Sequence, residues 1–305
     1  MNDFLSRFRS LLNTQGRGIA LLAVLLLGAM LPQLHVFSPL IQYLLMVMLF
    51  FSFLDIKFSP TTFQKSIFGV LLANIAIAFI VYIVLLQFNR PLALAAFMTA
   101  CAPTAIAAPV ITGFVKGKVE YVVSAALLTN IASAVIVPLV LPSLLGADIQ
   151  ISIPEVLLPV LIVMFVPLLL AQLATRLPPK AQDLIRKGKP ISFPIWLANL
   201  LIIGANASDY LRTTQTSFFP DLLTIALVSL AICIVNFGVG ALVGSPNYRQ
   251  EASQSLGQKN LSFAIWIALT FINPLVAMGP TFYVLFHHLY NSWMLYQFEK
   301  QRLRI

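Results

Sequence analysis

Apolar runs, each about as long as one helical bilayer crossing, recur along this chain and are separated by short breaks of proline, glycine and charge. A hydrocarbon core of about 30 Å needs about 20 residues of helix, with a range of about 17–25. Reading the runs against their breaks predicts ten spans, at 17–33, 37–54, 65–88, 91–115, 119–143, 153–174, 190–208, 219–244, 250–277 and 279–298. The first span follows Arg7, Arg9 and Arg17, which gives it the look of a signal peptide. Its run continues to Leu31 and Pro32 without a clear small-residue cleavage site, so it reads as an uncleaved first helix.

Composition agrees with this pattern. Of 305 residues, 59% are apolar and only 10% charged, whereas a soluble domain carries about 25% charged residues. The chain is therefore expected to be an all-α polytopic membrane protein. Its net charge of +9 could suggest nucleic acid, but no basic cluster is interleaved with aromatics, and the charges lie in short loops. Cys101 and Cys233 both fall inside predicted helices and suggest neither a disulfide framework nor a metal site. No cofactor is expected.

The loop charges carry topology instead. Counted on alternating sides of the ten spans, 16 Lys and Arg fall on one side and only Arg90 and Arg212 on the other. The rich side includes the N-tail, Lys57 and Lys65, Lys116 and Lys118, the basic loop between spans six and seven, Arg249 and the C-tail. The positive-inside rule puts both termini in the cytoplasm, and the short chain fits a bacterial inner membrane. One cation is left over. Lys259 stands just before an apolar run, where a charge costs about 2.5–3.5 kcal/mol on insertion scales and normally faces a cavity or a partner.

Two spans look broken. The fourth carries Ala102 to Pro109, with Pro103 and Pro109 six residues apart among small residues. The ninth carries Ser255, Leu256, Gly257, Gln258, Lys259 and Asn260. The breaks lie about half the chain length apart, and other polar residues recur at similar offsets: Asn74 against Asn236, and Thr129, Asn130 and Ser133 against Asn291 and Ser292. Five spans per half make the second half an inverted copy of the first, residues 1–145 against 150–305. Interrupted helices in matching places of two inverted halves point to a transport site at mid-membrane. Ser, Thr and Asn also bond helices to one another, a reading that stays open for Thr129, Ser133, Asn74, Asn236 and Asn260. Lys259 has snorkelling as its plainer alternative.

These residues resemble the bile acid:sodium symporter family, within the wider group of bile acid, arsenite and auxin carriers. The likeness covers nearly the whole chain in helix order and length. Cys101-Ala102-Pro103 matches the opening of the family's span-four pattern; Ala108 and Pro109 stand in its Ser-Asn places. In span nine, Gly257 and Asn260 match, Ser255 replaces a Glu, and Lys259 replaces a Gln. The stretch Asn236 to Gly240 looks like the family's span eight, and His287 or His288 corresponds to a His of span ten. The resemblance implies ten helices in two inverted repeats, with a panel domain from spans 1, 2, 6 and 7. A core domain follows from spans 3–5 and 8–10, with spans four and nine broken and crossing.

The departures fall on the family's sodium ligands. A lysine near the second sodium position, where Asn74 also lies, would repel Na⁺ and could take its place as a tethered cation. The expectation is a secondary transporter of a small organic or inorganic anion, with Lys259 charged throughout or exchanging a proton. Substrate contacts are expected from Thr104, Pro109, Asn236, Asn260 and His288, helped by amides at the half-helix N-termini. Ion coupling, or its substitution, is assigned to Lys259, Asn74, Ser255 and Gln258. The expected partners are an anionic small molecule, the bilayer and, in the second variant, protons. A sodium-coupled organic anion symporter with altered ligands and a channel-like facilitator stand as alternatives. An enzyme is not expected, since His-Glu-x-x-His, paired intramembrane aspartates, an Asp-rich prenyl motif and Gly-x-Ser-x-Gly are all missing.

Overall fold

The computed structural model describes residues 23–54, 64–105, 107–146, 151–213 and 219–302. Arg7, Arg9, Arg17, Lys57 and Arg304, with the start of the first span, lie outside the described residues. Thirteen α-helices and no strand occur among them. They are α1 (residues 23–30), α2 (Leu40–Phe53), α3 (Lys65–Leu86), α4 (Arg90–Cys101), α5 (Ala108–Phe114), α6 (Val119–Leu145) and α7 (Ile153–Ala174). There follow α8 (Pro179–Lys187), α9 (Ser192–Thr213), α10 (Phe219–Val243), α11 (Arg249–Gly257), α12 (Leu261–Phe271) and α13 (Pro274–Arg302). Among the described residues, five helical stretches are long and apolar enough to cross a membrane: α3, α6, α7, α10 from Asp221, and Pro179–Thr213, which contains α9.

Long helices here are apolar on both faces. On α7, Val156, Val160, Val163 and Ala171 are buried, while Leu158, Leu169 and Leu173 are 62%, 61% and 57% exposed. On α3, Ile67, Val70, Asn74 and Ile77 turn inward at helical spacing, and Leu72, Ile80 and Ile83 turn outward. A helix that is hydrophobic all round belongs in a large core or in lipid. With leucines bare on the outer surface, lipid is the solvent these faces fit.

Local starts and stops follow from the residues. Ser152 and Glu155 form a capping box at the head of α7, the Glu155 Oε2 accepting the Ser152 N–H at 2.7 Å. Asn273 accepts the N–H of Val276 at 2.9 Å, so α13 begins at Pro274, earlier than the expected 279. The basic loop expected between spans six and seven contains a helix, α8, whose side chains close other helices. Gln182 Nε2 donates to the carbonyls of Thr175 and Leu177 beyond α7, and Arg186 Nη2 to that of Leu54 beyond α2.

Helix α2 packs on α7 and α9, and α9 on the 3-10 turn Pro32–Phe37. Helices α1 and α9 approach with backbones nearly touching, since a Cβ at Gly28 would strike the Leu201 carbonyl and one at Gly204 that of Leu25. Helices α3, α4 and α6 pack together, as do α10, α11 and α13. The two pairs α4–α5 and α11–α12 meet between these groups.

Candidate functional site

Helix α4 stops at Cys101 because Pro103 lacks an N–H and drives Ala102 into an extended conformation, φ −51°, ψ 133°. Helix α11 stops at Gly257, after which Gln258 is extended, and Asn260 caps α12 by accepting the Phe263 N–H at 3.4 Å. The two breaks pair as a short antiparallel bridge between Thr104 and Lys259. Ala105 N donates to the Gln258 carbonyl at 2.8 Å, and Asn260 N to the Pro103 carbonyl at 2.7 Å.

A helix end leaves its last carbonyls without helical partners, and buried ones cost free energy unless something donates to them. At the end of α4, the Ala100 carbonyl accepts from Lys259 Nζ at 2.9 Å. The Cys101 carbonyl accepts from Asn74 Nδ2 and Ser133 Oγ, both at 3.3 Å, and the Thr104 carbonyl from Asn130 Nδ2 at 2.8 Å. At the end of α11, the Ser255 carbonyl accepts from Thr104 Oγ1 at 2.5 Å and the Gly257 carbonyl from Tyr283 OH at 2.7 Å.

Lys259 is 2% exposed, and its ammonium also donates to Asn74 Oδ1. That bond fixes the Asn74 amide, oxygen toward the ammonium and nitrogen toward the Cys101 carbonyl. A hydrogen bond to a charged group contributes about 1.5–3 kcal/mol, so two of them match the insertion cost of about 2.5–3.5 kcal/mol. The charge also stands at the C-terminal, negative end of the α4 dipole, worth up to about 2 kcal/mol when partly buried.

Beside this crossing lies a cavity of about 190 Å³. At about 30 Å³ per water, it holds about six waters or one small molecule. Lys259, Gln258, Asn260, His287, His288 and Trp196 line it, with an apolar wall from α2 opposite. The His288 ring lies 5.3 Å from that of Trp196 and 4.3 Å from that of His287. Asn260 Nδ2, His287 Nδ1 and His288 Nε2 are buried without a hydrogen-bond partner. Among the described residues no group of three or more His, Cys, Asp or Glu is placed to hold a metal ion.

The expected site residues therefore separate. Lys259, Gln258, Asn260 and His288 reach the cavity, and so does His287. Asn74 stands behind the ammonium. Thr104 and Ser255 serve the crossing, with Ser255 Oγ donating to the Glu251 carbonyl at 2.8 Å. Asn236 is also behind, its Nδ2 donating to Tyr283 OH at 3.2 Å while its Oδ1 has no partner. Pro109 sits in the first turn of α5, half-buried and off the cavity lining. Of the amides expected to cradle an anion, those of Ala105 and Asn260 bond across the crossing. Leu261 and Ser262, which open α12, line the cavity.

Two residues here had no sequence signal. Trp196 and Tyr283 are aromatics within apolar runs, and only the fold shows that one walls the cavity and the other closes α11. Thr129, Asn130 and Ser133 do bond between helices, but to the backbone of the first break rather than to side chains. Compared with protein-family models and with characterised proteins, the chain matches none.

Proposed function

We propose that this chain is a secondary transporter, working by alternating access, that carries a small organic or inorganic anion with Lys259 in place of a coupling cation. The observation that carries this reading is Lys259, its ammonium held between two interrupted helices and the residue lining a half-open cavity. An ammonium has three donors. Two go to Asn74 and Ala100, and the third is available to an anion, with the Asn260 amide and the two histidines as neighbours.

The lengths of the half-helices support placing the crossing at mid-membrane. Helices α4 and α5, of 12 and 7 residues, are about 18 and 10 Å long. Helices α11 and α12, of 9 and 11 residues, are about 14 and 17 Å. Each pair adds to about one bilayer core, with its break near the middle. In this reading the chain has ten spans as two inverted five-helix repeats, on the plan of the bile acid:sodium symporter family. The panel comprises α1, α2, α7 and α9, the remaining spans form the core, and both termini are cytoplasmic. The cavity lies where α2 and Trp196 of α9 face the crossing and α13. An anion bound there neutralises the buried charge, and the loaded core then moves against the panel.

Uptake and counterflow in proteoliposomes, with a panel of small anions at several pH values with and without Na⁺, test the proposal. The expected result is saturable counterflow of at least one anion without Na⁺, lost in Lys259→Ala. Strict Na⁺ dependence, full activity in Lys259→Ala, or unitary conductance in place of counterflow would overturn it.

A further inference from the structure

A second, larger hollow lies elsewhere, an open groove of about 990 Å³ between α10 and the C-terminal half of α13, closed at one end by α11. That volume is at the upper end of the about 300–1,000 Å³ of ligand pockets. No residue of α2, α7 or α9 and none of the small cavity's lining takes part in it.

Its shape is long and its polarity one-ended. Along α10 it runs from Leu230 to Ala241, about 17 Å at about 1.5 Å per residue. One leaflet of the hydrocarbon core is about 15 Å, half of about 30 Å. The walls are apolar and aromatic, with Ile234 65% and Trp293 55% exposed. The floor is open at Gly238, where an added Cβ meets nothing within 4 Å.

Helices α10 and α13 run in the same direction here, since Ser229 bonds the Gly279 carbonyl and, further on, Phe237 stacks on Tyr290. Ala241 and Gln297 therefore share one end, and there α11 brings Arg249 and Gln250. Arg249 is exposed, and no carboxylate among the described residues pairs with it. The same end lies on the side holding 16 of the loop and tail cations, the cytoplasmic side by the charge rule. Anionic lipids of that leaflet attract basic residues near its surface.

We propose that this groove binds an anionic glycerophospholipid, one acyl chain lying along α10 past Gly238 and the phosphate on Arg249. The apolar length fits one chain in one leaflet, and the exposed guanidinium gives the site its preference for negative headgroups. This site rests on the cytoplasmic orientation of the proposed fold but not on transport, and its test stands or falls separately from that of Lys259.

The test uses the full chain, purified in mild detergent and equilibrated with mixed micelles of equal phosphatidylglycerol and phosphatidylcholine. Retained lipid is counted by native mass spectrometry. The wild type is expected to keep phosphatidylglycerol over phosphatidylcholine by about fivefold, the effect of one basic residue at a charged surface. Arg249→Gln, a change at an exposed position, brings that ratio to about one while lipid is still retained. Gly238→Phe, which fills empty space rather than colliding, removes retention of both lipids with an unchanged melting midpoint. Equal retention of the two lipids by the wild type, an unchanged ratio in Arg249→Gln, or undiminished retention in Gly238→Phe would overturn the proposal. Displacement of the lipid by millimolar glycerol phosphate would also overturn it, by making the site one for a soluble phosphate.

Discussion

The two helix breaks use the same backbone device with opposite supplies of polar groups. The first, just after Cys101, contributes a single polar side chain, Thr104, and is held by α6: Thr129 Oγ1 accepts from the Thr104 N–H, Asn130 donates to the Thr104 carbonyl and Ser133 to the Cys101 carbonyl. The second, Gln258-Lys259-Asn260, is polar throughout, and all three of its residues line the cavity. One break is held by polar groups of its surroundings, while the other brings its own. The bare fact of a discontinuity therefore says little about function; what matters is where its side chains are directed.

The largest expected effect is at Lys259. Lys259→Ala leaves Asn74 Oδ1 and the Ala100 carbonyl buried without their donor, each a loss of about 1–3 kcal/mol. A fall of about 2–6 kcal/mol in unfolding free energy in detergent, together with loss of counterflow, is the expected outcome. At the first break, Asn130→Ala strands the Thr104 carbonyl and should lower stability by about 1–2 kcal/mol, read from the melting midpoint, with counterflow retained. If that variant abolished transport as Lys259→Ala does, the division of labour between the breaks would be wrong.

Tyr283→Phe removes the hydroxyl from the Gly257 carbonyl and from Asn236, for about 1 kcal/mol and little change in transport rate. A comparably small stability effect is expected at His288. Its Nε2 has no partner to lose, so His288→Ala gives up only its ring contacts with Trp196 and His287, about 1 kcal/mol, while the KM for the anion rises. An unchanged KM would remove His288 from the substrate wall and leave Lys259 and Asn260 alone there.

Much of the architecture was legible in the apolar runs, because length and hydrophobicity alone decide whether a helix suits lipid. Proline spacing was a weaker guide. Pro103 and Pro109 mark a true break, yet Pro138 and Pro142 lie inside a continuous α6, and Pro159 and Pro167 inside a continuous α7. The difference is physical. At Ala102–Ala107, side chains and a second break stand ready to bond the freed backbone, and such partners come from distant sequence. Asn74's contact with Lys259, 185 residues away, has the same long-range origin: the resemblance set both residues near one position, and local reading alone would not have. Lys259 itself stood out because an unpaired charge beside an apolar run is expensive wherever it is placed. Two amides of the expected anion cradle, those of Ala105 and Asn260, are taken by the opposing break, and only tertiary structure shows that pairing.

Helix α8 carries a mechanical consequence. Gln182 holds the trailing carbonyls of α7 and Arg186 that of α2, so one short segment is pinned to the ends of two long helices at once. Neither helix can slide along its axis or unwind its final turn without dragging the other. The segment acts as a cross-tie, and any large displacement in this protein must occur elsewhere than between α2 and α7.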